Sequence, residues 1–158
     1  MSEVVVMKVN SANLPAFISL IGMIEGEANP SDEMVRERAT AGVHASLVRY
    51  DFTHSDSCWM LLATLGDAPA GYASVVRIPK ADARVGFLFV DELYVLQAFR
   101  RAGVARALLD AVEQLAVELG LAGVRLLVRI ENEAARNLYR KAGYAQSQTT
   151  FCEKRFPS

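Results

Sequence analysis

Apolar positions recur along this chain at two spacings, and the spacing changes from segment to segment. Val4 to Val9 is a short β-branched run and predicts a first strand. Ser11-Ala12-Asn13-Leu14 then offers a helix start. Leu14, Phe17, Ile18, Ile21 and Met23 or Ile24 follow at helical spacing, with an end expected near Gly26. Pro30-Ser31-Asp32-Glu33 is a second start, its acids suited to the helix dipole. Val35, Ala39, Val43 and Leu47 recur every four residues, which predicts one long helix or two short ones between about 32 and 49. Gly42 makes a break plausible.

The pattern then turns strand-like. Cys58 to Leu65 and Gly71 to Ile78 flank the turn Gly66-Asp67-Ala68-Pro69 and predict a hairpin. After a polar link over 79–83, Arg84 to Val95 is almost continuously apolar. Such a run suits a central strand covered on both faces. Its exceptions are Asp91 and Glu92. Arg101 to Leu119 reads as a helix with Val104, Leu108, Ala111, Leu115 and Leu119 as its buried stripe, stopped by Gly120. Val124 to Ile130 is another buried strand, so strand, helix and strand make a right-handed crossover unit with parallel strands. Asn132 is an N-cap for a helix to about Ala142 that stops at Gly143. Tyr144 to Phe156 alternates enough to predict one or two terminal strands. This order implies an α/β fold with a mixed sheet rather than a repeating doubly wound one.

Composition narrows the class. The chain has 158 residues, 52% apolar and 22% charged, which fits one ordinary domain with a real core. A net charge of -1 gives no reason to expect nucleic acid as a partner. The cysteines, Cys58 and Cys152, and the histidines, His44 and His54, show no zinc-ligand spacing, so no metal is expected. The first residues lack the pattern of a signal peptide, and no apolar run of about 18 residues predicts a membrane span. The expectation is a soluble cytoplasmic protein.

Candidate chemistry enters at Arg100-Arg101-Ala102-Gly103-Val104-Ala105-Arg106, where strand passes to helix. A helix start offers unpaired N–H groups and partial positive charge to an anion. Gly103 and Ala105 keep side-chain bulk away, and the arginines add charge-assisted bonds. Cations here oppose the dipole at a cost of a few tenths of a kcal/mol each, roughly, so they look more like a site than a stabilising choice. Neither GxxxxGK[ST] nor GxGxxG is present.

Two motifs carry a family resemblance. Arg100-x-x-Gly103-x-Ala105 follows Asp91-Glu92-Leu93-Tyr94-Val95, and Asn132-x-x-Ala135-x-x-Leu138-Tyr139 precedes Gly143-Tyr144. In this order, across roughly residues 58 to 146, they resemble the GNAT superfamily of N-acetyltransferases. The resemblance implies a single domain over 1–158: a mixed, mostly antiparallel sheet flanked by helices, with a parallel β-α-β core for acyl-CoA. It implies transfer of acetyl from acetyl-CoA, a cosubstrate, to a primary amine by direct attack in a ternary complex. Leu93, Tyr94 and Val95 would hold the cofactor arm through main-chain groups, and residues Arg100, Arg101, Ala102, Gly103, Val104, Ala105 and Arg106 the diphosphate. Asn132 would bond the pantetheine arm while capping its helix, and Asn137 would touch the nucleotide end. Tyr139 would give a proton to the leaving sulfur.

The base stays open between Asp91, Glu92 and a water relay. Side chains alternate along a strand, so only one of the two acids should reach the substrate cleft unless a bulge intervenes. Polyamine-type members carry their acid at the Asp91 position, some histone-type members two residues earlier, where this chain has Phe89. The segment Leu20 to Pro30, with Glu25 and Glu27, loosely resembles the first-helix region of diamine and thialysine acetyltransferases, where acids would attract a cationic amine. A small-molecule amine is the expected acceptor. A protein N-terminus or lysine is the alternative within enzymes, and a noncatalytic acyl-CoA-binding module the alternative outside them. Many relatives pair, so a homodimer is expected.

Overall fold

Five strands in the order β1-β2-β3-β4-β5 form one mixed sheet in the computed structural model, which describes residues 3–158. Two compact units make up the chain, one ending at Leu127 and the other beginning at Val128. The first holds β1 (Val4–Lys8), α1 (Leu14–Ala28), α2 (Val35–Arg49), β2 (Cys58–Leu65), β3 (Ala68–Ile78), β4 (Phe87–Val95), α3 (Val104–Glu118) and β5 (Val124–Leu126). Strands β1 to β4 are antiparallel in sequence order, and β5 is parallel to β4. This is the expected mixed, mostly antiparallel sheet, and β4-α3-β5 is its parallel crossover.

The sheet buries a different layer on each face. Trp59, Leu61, Ala73, Val75, Leu88 and Val90 pack with Val104, Leu108, Val112 and Leu115 of α3 on one face. On the other, Leu62 joins Phe17 and Leu20 of α1 and Val43 of α2. Period-2 alternation in the strands and helical spacing in α1 and α3 fill these layers as the sequence implies. Helix α2 runs unbroken through Gly42, because its Ala39 and Val43 are buried on a continuous face.

Several boundaries differ from expectation. The hairpin turn is only Gly66-Asp67, and β3 starts at Ala68, because a bulge near Ala63/Thr64 absorbs the extra residue. Strand β4 starts at Phe87 rather than Arg84, whose side chain instead pairs with Asp82 at 2.9 Å. Helix α3 begins at Val104, after a short 3₁₀ turn Gln97–Phe99. Strand β5 stops at Leu126 rather than Ile130. Its ladder with β4 runs from Leu88↔Val124 to Val90↔Leu126, and β4 distorts immediately afterwards.

The second unit holds α4 (Glu133–Lys141). The terminal strands expected over Tyr144 to Phe156 are not formed. Gln146 to Thr150 is polar throughout and offers no apolar alternation to bury. No helix among the described residues is long and apolar enough to cross a membrane.

Candidate active site

Strand β4 carries the two acids through a β-bulge. Ser74 pairs with Glu92, but the next residue, Val75, pairs with Val90, which leaves Asp91 as the inserted residue. Before the bulge Leu88 and Val90 face α3, and after it Leu93 and Val95 do. The face change sets both Asp91 and Glu92 on the side away from α3, which resolves the alternation problem. The bulge also ends the pairing with β5, so from Asp91 to Val95 this edge of β4 is paired with no described strand. Leu93, Tyr94 and Val95 lie on that stretch.

Of the two acids, Glu92 lines a cavity of about 240 Å³ on the α1/α2 face and Asp91 does not. Helix α1 contributes Phe17, Ile21 and Glu25, one helical face at i, i+4 and i+8. Helix α2 contributes Arg38 and Val43, and the sheet Met60 and Tyr72. Tyr72 donates a hydrogen bond to Glu92 Oε2. Burial first, and then that carboxylate, push the Tyr72 phenol well above its ordinary value, so it stays a donor. The Phe17 ring meets Phe52 and Tyr72 edge-on, each at 5.8 Å between centroids. Arg38 is ion-paired with Asp32.

Glu27, paired with Glu25 in the sequence reading, takes another place. It accepts from Tyr94 Oη and from the Gln97 backbone N–H, both at 2.8 Å, so it ties the end of α1 to the end of β4. That bond is the first cause holding the Tyr94 phenol above its usual range. Glu25 lines the cavity; Glu27 does not.

The turn before α3 has the backbone of an anion cradle. Arg101 adopts φ 63° and Gly103 φ 82°, both left-handed, with Gly103 as N-cap. Alternating hand at successive residues points neighbouring N–H groups towards one point. Nothing lies within 4 Å of where a Cβ on Gly103 would sit, so the approach is open and the positive φ is what calls for glycine. Ala102 is exposed and Ala105 half-buried, while Val104 anchors the turn in the core. The arginines differ. Arg100 folds back, donating from Nε to Val95 O at 3.2 Å with its guanidinium 5.8 Å over the Tyr94 ring. Arg106 pairs with Asp110 at 2.8 Å. Arg101 makes no ion pair or side-chain hydrogen bond with the described residues and is exposed. This left-handed turn of exposed residues and its nearby cation fit a diphosphate.

In the second unit Asn132 caps α4, its Oδ1 accepting from the Ala135 N–H at 3.1 Å. Asn137 is exposed and accepts from Arg140 at 2.7 Å. Tyr139 is buried beside Tyr144, ring centroids 5.9 Å apart, and burial raises its pKa. Among the described residues no group of three or more His, Cys, Asp or Glu could hold a metal.

Sequence reasoning missed Tyr72 and α2's share. The signal for Tyr72 was present: Tyr72 and Ser74 are polar positions alternating with Ala73 and Val75. Partners from α2 needed the tertiary fold.

With the geometry established, the chain can be set beside known proteins. It matches the acetyltransferase (GNAT) family over residues 20–144. It shares the fold of an aminoglycoside acetyltransferase from an uncultured soil metagenomic sample at 21% identity, covering 98% of this chain and 99% of that one, with a TM-score of 0.74. AAC(6')-Iy, solved with the bisubstrate analogue CoA-S-monomethyl-acetylneamine, aligns at 17% identity over 98% of this chain and 100% of that one, with a TM-score of 0.70. Another aminoglycoside acetyltransferase from an uncultured soil metagenomic sample, solved with sisomicin, aligns at 16% identity over 98% and 97%, with a TM-score of 0.75.

Proposed function

Since the chain belongs to the GNAT acetyltransferase family, we propose that it transfers acetyl from acetyl-CoA to a primary amine of a small molecule, by direct attack in a ternary complex. The observation that carries this reading is the cavity beside the β4 bulge, where Glu92 stands among Phe17, Ile21, Val43, Phe52 and Met60, with Glu25, Arg38 and Ser46 as the other charged or hydroxyl-bearing lining residues besides Tyr72. A cavity of about 240 Å³ is below the roughly 300–1,000 Å³ of clefts for drug-sized ligands, which favours a small acceptor over a peptide.

Acetyl-CoA supplies the acetyl group as a thioester. The left-handed turn at Arg101 and Gly103 supports diphosphate binding, with Arg101 as the unengaged cation. The unpaired edge of β4 at Leu93 and Val95 supports main-chain bonding to an extended arm. An alkyl ammonium, with a pKa near 10, must lose a proton before its nitrogen attacks. Glu92 takes that proton, directly or through a water. Nitrogen–carbon bond formation and carbon–sulfur cleavage then leave a thiolate, and Tyr139 is assigned its protonation through the Asn132-to-Tyr144 motif. Asn132 and Asn137 are assigned to the pantetheine arm and the nucleotide end on the same ground. The reading takes the chain as one cytoplasmic acetyltransferase domain working as a homodimer, a state that sedimentation would test. The activity test is thiol release from acetyl-CoA with a panel of small primary amines. Release with amine acetylation is expected; cofactor binding without turnover on any amine would leave a binding module.

A further inference from the structure

The last turn of α1 reaches the end of the strand whose free edge suits the cofactor arm. Glu27 is half-buried there, and its two carboxylate oxygens make separate bonds. Oε2 accepts from Tyr94 Oη and Oε1 from the Gln97 N–H, each at 2.8 Å. Tyr94 is the penultimate residue of β4, and Gln97 opens the 3₁₀ turn that leads to Arg100. The first N–H of such a turn has no partner within it, and a carboxylate suits it. One side chain therefore pins both sides of the bend between strand and turn. Arg100 extends the pin. Its guanidinium lies 5.8 Å over the Tyr94 ring, its Nε donates to Val95 O at 3.2 Å, and its backbone N–H donates to Gln97 O at 3.3 Å. Its charge also acts on the Tyr94 phenol in the direction opposite to Glu27. Glu27, Tyr94 and Arg100 thus form a continuous strut from α1 to the residue before the left-handed Arg101.

Glu27 itself is an anion and would repel phosphate oxygens at close range. What the strut supplies is placement. A turn that must order when a ligand arrives loses affinity to that ordering, and a turn already held does not. The held turn is the one with exposed, left-handed Arg101 and Gly103. We propose that Glu27 is a positioning residue for acyl-CoA: through Tyr94, Gln97 and Arg100 it holds the end of β4 and the left-handed turn in the arrangement that binds the cofactor. This assignment rests on the acetyltransferase reading above. It also separates the two acids of α1, Glu25 at the acceptor cavity and Glu27 on the cofactor side.

The test measures CoA binding to the full chain by calorimetry, beside the melting temperature of the free protein. Glu27→Ala should raise the Kd about tenfold. Glu27→Gln should restore most of the affinity, since its amide keeps an oxygen for the Gln97 N–H and offers an N–H to the Tyr94 oxygen. Tyr94→Phe should raise the Kd about threefold. Added to Glu27→Ala it should change that Kd by less than about twofold, because the phenol acts through Glu27. A general loosening of the fold would give losses that add. An unchanged Kd in folded Glu27→Ala, no recovery with Glu27→Gln, or additive losses in the double variant overturns the proposal. Should Glu27→Ala not fold, Tyr94→Phe decides alone, and an unchanged Kd there overturns it. No CoA binding by the unaltered chain overturns the acetyltransferase reading, and this proposal with it.

Discussion

Neutral amine is scarce near pH 7, so a carboxylate able to take the ammonium proton governs the rate. Under the proposed function that group is Glu92, which lines the cavity and accepts from Tyr72. Glu92→Gln keeps the size and removes the base. Its kcat/KM should fall by about 10²–10⁴ in the thiol-release assay, while Asp91→Asn changes it by less than about threefold. Equal losses in both variants would return the base to the open choice. Tyr139→Phe should lower kcat by about tenfold or more and leave CoA affinity within about twofold by calorimetry. The sign of its pKa shift adds a second check. Burial raises the Tyr139 pKa, so the donor form persists through neutral pH. Loss of kcat from its ionisation is therefore expected only above the ordinary phenol value of about 10. The residue-level reading of the sequence named both acids with Asp91 first, whereas Glu92 is the one that lines the cavity. That difference depends on the bulge and on α1 and α2 closing over one acid, contacts between residues far apart in sequence.

At the scale of elements, one inserted residue has several consequences. The bulge at Asp91 changes which residues of β4 face α3, and the β5 ladder ends at Val90. Deleting Asp91 should close the bulge and keep Glu92, Leu93 and Val95 on their present faces, since the insertion and the face change cancel. The deletion protein should fold, by circular dichroism and melting temperature, yet bind CoA at least about tenfold more weakly by calorimetry. Unchanged CoA affinity would show that the free edge of β4 is not where the arm binds. Helices α1 and α3, with their regular stripes, were legible because burial and periodicity agree there. The end of β5 was not, because Leu127, Val128 and Ile130 are as apolar as a strand requires and only the partner strand decides where pairing stops. The segment from Tyr144 was misread because its apolar residues lie at the two ends, while the polar run Gln146 to Thr150 between them has nothing to bury.

For the whole molecule, the donor half of the chemistry was the more legible. Arg100 to Ala105 is a local turn whose left-handed Arg101 and Gly103 act over a few residues, so sequence spacing alone exposes it. The cavity that the proposed function assigns to the acceptor draws its lining from α1, α2, β2, β3 and β4 together with Phe52, and no short motif encodes it. A ligand that binds only the folded chain should stabilise all of it. At a free concentration 100 times its Kd, CoA should add about 2.7 kcal/mol. In a chain of this size that corresponds to a rise of roughly 5–10 °C in melting temperature. Gly103→Val should remove most of that rise, because valine resists positive φ and its bulk enters the open approach. A full rise in the variant would place the diphosphate elsewhere. Acetyl transfer itself is tested most directly by incubating the purified chain with acetyl-CoA and each of a panel of small primary amines and measuring free thiol and N-acetylated amine together. The predicted result is equal amounts of both from at least one amine, rising with enzyme concentration; cofactor binding with neither product from any amine would contradict it.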